Sequence, residues 1–107
     1  MPEITYELAL DDARADWLRA RFTTVRGRVV VDTVQYETTI SGLRMPVVRF
    51  DNAHGFAHRD LLDRNGRIIE KRPIPGNPSP DMALAQGERE IRRNRPRYRA
   101  AFFGDEA

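Results

Sequence analysis

At 107 residues, 40% hydrophobic and 32% charged, the chain has the size and balance of one globular domain around a single modest core. The absence of cysteine excludes a disulfide framework, a thiolate zinc site and a cysteine nucleophile. No apolar run approaches the roughly 18 residues needed to span a bilayer, and the start, Met-Pro-Glu-Ile-Thr-Tyr-Glu, lacks the basic and apolar regions of a signal peptide, so a cytoplasmic setting without membrane contact is expected.

Residues 3–10 alternate Ile4, Tyr6, Leu8 and Leu10 against Glu3, Thr5, Glu7 and Ala9, the period of a half-buried strand. Asp11 or Asp12 is then expected to cap a short helix reaching about Arg21, with Ala13, Trp17 and Ala20 as its inward stripe. From Phe22 to Ile40 β-branched and aromatic residues dominate, interrupted at Arg26-Gly27. Val29 and Val31 share one alternation phase and Val34, Tyr36, Thr38 and Ile40 the other, which predicts a bulge or bend near Asp32-Thr33. Ser41-Gly42 marks a tight turn, and Leu43–Phe50 reads as the returning strand. The runs 58–62 and 67–71 flank Asp63-Arg64-Asn65-Gly66, and Asn-Gly between alternating runs is a strong hairpin signal. The proline-rich stretch 73–78 is an extended connector. Ser79, with Pro80 and Asp81 behind it, starts a helix whose inward stripe is Leu84, Gly87 and Ile91. Pro96 is expected to end or kink that helix, and Tyr98, Phe102 and Phe103 to pin the tail to the core. Together these elements predict one α+β domain over residues 1–107: an antiparallel sheet of four or five strands with two or three helices on one face.

The net charge of +2 is unevenly placed. Residues 1–50 carry seven acids and seven bases, whereas Arg89, Arg92, Arg93, Arg95, Arg97 and Arg99 face Glu90 alone within 89–99. Such a cluster can hold phosphate, nucleic acid or an acidic protein. The plainer alternative is a solvated helix face in a chain where 17 of 18 basic residues are arginine, as a GC-rich genome would give.

The segment 49–60 gathers both histidines, His54 and His58, with Asp51, Asp60, Arg49 and Arg59. Three chemistries suit it. Two imidazoles and a carboxylate can ligate a transition metal. One neutral and one protonated histidine can serve as general base and acid while arginine steadies phosphorane-like charge. The same groups can also bind an anion without reaction. A structural reading stands beside these: Asp51-Asn52 as an Asx turn, with each histidine satisfied in a turn or edge strand. The glutamate that follows the first histidine of a zincin is absent, since Gly55 follows His54. No Gly-rich phosphate loop, nucleophile elbow or dinucleotide fingerprint occurs.

Arg49, Phe50, Asp51, Ala53, His54, Gly55, His58 and Asp60 resemble, position by position, the Arg-(Tyr/Phe)-Asp-x-Ala-His-Gly-x-x-His-x-Asp core of a group of small prokaryotic proteins. Phe50-Asp51-Asn52-Ala53-His54 is also distantly similar to the motif of TumE-type toxins of toxin–antitoxin modules, whose clustered histidines are here interrupted by Gly55. The likeness covers about residues 47–72. It implies an antiparallel sheet and a toxin–antitoxin or genomic-defence setting.

The leading expectation is an RNA-directed, toxin-like protein, in one form a metal-independent endoribonuclease without cofactor. There His54 and His58 act as acid and base beside Asp51 and Asp60, Arg49 and Arg59 stabilise phosphate charge, and the 89–99 arginines hold RNA or another polyanion. A second reading is a non-catalytic subunit that binds an antitoxin, another protein or a second copy of itself, offering the edge of strand 28–40 and the thin stripe of the last helix. A third is a metal-dependent enzyme using both histidines.

Overall fold

The computed structural model describes residues 3–52 and 55–104. Within them, strands β1 (Glu3–Ala9), β2 (Asp16–Val25), β3 (Arg28–Ile40), β4 (Leu43–Asp51), β5 (His58–Leu62) and β6 (Ile68–Pro73) precede one helix, α1 (Pro80–Phe102). The strands form a single antiparallel meander in sequence order, with β1 and β6 at its edges.

This corrects the expected architecture: the sheet has six strands rather than four or five, and one helix covers it rather than two or three. The difference arises at residues 11–25. Asp16, Leu18 and Ala20 are buried while Arg19 and Arg21 are exposed, a period of two that is incompatible with a helix. Trp17 and Ala20, aligned on a helical reading, lie on opposite faces of the strand. The Arg44 guanidinium covers the Trp17 ring at 4.5 Å. Helix formers such as leucine, alanine and arginine are overridden here by pairing with β1 on one side and β3 on the other. Asp11, read as a helix cap, closes a turn instead, its Oδ1 accepting the Ala15 and Asp16 amides at 3.0 Å.

The phase change in β3 falls at Val30, two residues before the expected place: Thr23 pairs with Val31 and Thr24 with Val29, leaving Val30 out of register. A second bulge places Val47 between Val48 and Pro46, which pair with Tyr36 and Glu37. The 63–66 turn forms as the Asn-Gly signal requires, with Gly66 at φ 80° and Asp63 Oδ1 accepting the Asn65 and Arg67 amides. β3 lies between β2, which pairs with Arg28–Thr38, and β4, which pairs with Thr33–Ile40, so the docking strand expected at 28–40 is an interior one.

α1 lies across β3 and β4, burying Ala83, Gly87, Ile91, Tyr98 and Phe102 against Leu18, Val34, Tyr36, Val48 and Phe50. The helix stripe expected to remain available for a partner is therefore used in the core. A Cβ at Gly87 would come within 2.6 Å of a Val34 methyl and 3.0 Å of Phe50, so glycine sets how closely helix and sheet approach. Of the two outcomes expected at Pro96, an end is not what occurs: the helix continues six residues to Phe102. The buried rings of Tyr98 and Phe102 hold the last turns down and offset the hydrogen bond that proline removes.

Candidate functional site

Antiparallel register places Arg49 opposite Asp60 and Asp51 opposite His58. Four residues of the histidine-bearing segment thus form one block on the face of the sheet away from α1. His54 lies outside the described residues. His58 is buried at 2% exposure, beneath the Phe56 ring 5.5 Å away. Its Nδ1 is 3.3 Å from the Phe56 carbonyl oxygen, and its Nε2 faces Asp60 Oδ2 at 3.6 Å. Asp60 is equally enclosed, with Lys71 Nζ 3.7 Å from its other oxygen.

Arg49 and Asp51 instead look into an open polar cleft of about 610 Å³, which also involves Arg19, Arg21, Thr33 and Gln35. Arg49 Nε donates to Gln35 Oε1 at 2.7 Å, and the Thr33 hydroxyl donates to Asp51 Oδ2 at 3.3 Å. The block therefore has two parts side by side: a half-buried guanidinium and carboxylate on β4, and a buried imidazole–carboxylate pair on β5. An imidazole so covered can orient its neighbours, but it is poorly placed to exchange a proton with a molecule in the cleft. Among the described residues, no group of three histidine or carboxylate side chains is arranged to hold a metal ion.

The arginine cluster separates into three sets. Arg95 pairs with Asp16, which is 1% exposed, and Arg99 Nε stands 3.7 Å from the same carboxylate. These two arginines tie the helix to β2, where the Thr38 hydroxyl also donates to Asp16 at 2.7 Å. Burial and the Asp16 carboxylate push the neighbouring Tyr36 phenol up. Arg92 and Arg97 form exposed pairs along the helix, with Glu88 at 3.2 Å and Asn94 at 2.8 Å.

Arg89 and Arg93 are exposed and one turn apart on the same face of α1. With Arg59 of β5 and Arg72 of β6 they border a cavity of about 510 Å³ whose other walls include Phe50, Ile74 and Gln86. Arg59 and Arg72 are direct cross-strand partners, an arrangement that like charges disfavour. Glu70 bridges them, bonding Arg59 and standing 3.0 Å from Arg72 Nε. Tyr98 accepts from Arg59 at 3.5 Å and donates to Glu90 at 3.0 Å. Four guanidiniums against Glu70 and Glu90 leave a local excess of two positive charges, and the buried Arg59 Nε has no acceptor among the described residues.

The structure thus puts Arg59, Arg89 and Arg93 together and adds Arg72 and Gln86, which the sequence reading passed over. The hairpin register did carry a signal, because it sets Arg72 opposite Arg59. The same fold puts these arginines and the Arg49–Asp51–His58–Asp60 block on opposite faces of the sheet.

Asp32 stands apart from both. Its carboxylate is buried, Oδ2 has no hydrogen-bond partner among the described residues, and burial together with Asp51 and Asp81 raises its pKa to about 6.

Compared with known families, residues 1–107 match the model described as Domain of unknown function (DUF7718). The chain belongs to that family. No curated protein and no solved structure matches it. No described helix is long and apolar enough to cross a membrane. The family match spans both the cavity beside α1 and the cleft on the other face.

Proposed function

We propose that this protein is an RNA-directed binding protein that holds phosphate in the cavity between α1 and the β5–β6 hairpin. The observation that carries the reading is the convergence of Arg59, Arg72, Arg89 and Arg93 on one recess from three separate elements. Guanidinium forks suit phosphate oxygens, and the positive excess that Glu70 and Glu90 leave favours an anion. Arg92 and Arg97, on the exposed part of α1, extend the positive field beyond the recess. The likeness of residues 50–54 to the toxin motif fits a toxin–antitoxin or defence setting for such a protein. The test is binding of labelled RNA to the purified protein over a salt series. Binding that weakens steeply with salt and is lost on replacing Arg89 and Arg93 supports the reading, and binding insensitive to both changes removes it.

A second reading, RNA cleavage without metal, rests on the cross-strand block of Arg49, Asp51, His58 and Asp60. It requires the protected His58–Asp60 pair to steer a group at the surface of the cleft. Incubation of RNA with the protein and with Arg49→Ala and Asp51→Asn variants tests it. Intact RNA in every case leaves binding as the function.

A further inference from the structure

We infer that the arginine cavity takes a single unstacked nucleotide of a single strand, and so selects single-stranded RNA over duplex; the inference rests on the RNA-binding reading above. A site for phosphate alone needs charge and donors, and this recess has more. Phe50, Pro73, Ile74 and Pro75 give it an apolar floor and rim between the charged groups. Two prolines make part of that surface rigid before anything binds. Its volume, about 510 Å³, lies in the range of small-molecule pockets.

Along α1, Gln86, Arg89 and Arg93 occupy one face at spacings of three and four residues, and all border the cavity. Gln86 thereby brings both a donor and an acceptor to the wall, the complement of a base edge. Flat guanidinium groups stack on bases as well as pairing with phosphates. A base and a phosphate thus each find a matching surface. In a duplex the bases are stacked and paired, so the apolar floor would meet nothing complementary.

The experiment measures binding of the full chain, by fluorescence anisotropy at one low salt concentration, to three labelled probes. These are a short single-stranded RNA, the same sequence as a blunt duplex, and a single strand of equal length with abasic positions. The expected result is single-strand binding at least about tenfold tighter than duplex, with about tenfold lost when the bases are removed. Gln86→Ala should weaken single-strand binding severalfold and, in a parallel salt series, leave the salt slope unchanged, because it removes a contact to base and none to phosphate. Equal binding of single strand, duplex and abasic probe would overturn the inference and leave the RNA-binding reading in place. Failure of every probe to bind would remove both.

Discussion

His58 shows how much depends on where a side chain ends up. A surface histidine can be lost with little effect on stability, but this one is buried with Asp60 beside it and the Phe56 carbonyl at its other nitrogen. His58→Ala is expected to cost about 2–3 kcal/mol in chemical denaturation, because it leaves a buried carboxylate short of its partner. An unchanged denaturation midpoint would show that the pair contributes nothing. Asp32 should act in the opposite sense. Its carboxyl titrates near 6 when folded and near the ordinary 3.8 when unfolded, so the folded state holds the proton more tightly. The group is therefore not penalised below about pH 4; its contribution is lost as pH rises through about 6. Asp32→Asn is expected to raise stability by about 1–2 kcal/mol at pH 7, a figure reduced for solvent screening, and by much less at pH 4. Equal effects at both pH values in thermal unfolding would contradict this.

At the scale of elements, the contact between α1 and the sheet is the most sensitive point. Gly87→Ala places a methyl within 2.6 Å of Val34 and should destabilise by about 1–3 kcal/mol, although alanine is the better helix former. A gain in melting temperature would mean that the helix can shift outward freely. The local features that sequence reveals best are those fixed by a few adjacent residues. The Ser79-Pro80-Asp81 start, the Asn65-Gly66 turn and the two-residue turn at 41–42 form where their chemistry indicates, and the interruption at 26–27 is a two-residue turn as well. β2 was misread because its Ala13, Trp17, Ala20 spacing imitates a helical stripe, while Leu18, Ala20 and Phe22 also alternate as a strand. Neighbouring strands decide between the two periods, and no local residue pattern contains them. The candidate site was legible to a similar degree. Residues 49–60 were recognisable as a cluster, and register did unite Arg49, Asp51, His58 and Asp60. That His58 would be covered, and that only some of the helix arginines would reach the recess, depended on how the sheet and α1 pack.

For the molecule as a whole, the sheet separates two chemically different surfaces. One holds the polar cleft of Arg49 and Asp51; the other holds the arginine cavity under α1. In the free protein Glu70 and Glu90 partly neutralise that cavity, so an incoming phosphate competes with carboxylates already in place. Glu90→Gln should accordingly tighten RNA binding severalfold at low salt, and weaker binding would mean that Glu90 organises the site through Tyr98 rather than opposing the ligand.

The most direct measurement is the salt dependence of single-stranded RNA affinity, taken from about 50 mM to about 200 mM for the native protein and for the Arg89→Ala, Arg93→Ala double variant. If both guanidiniums contact phosphate, the slope of log affinity against log salt should fall by about 1.4 in the variant, with its fold and melting temperature retained. An identical slope in the two proteins, or native protein that binds no RNA even at the lowest salt, would contradict phosphate binding in the cavity.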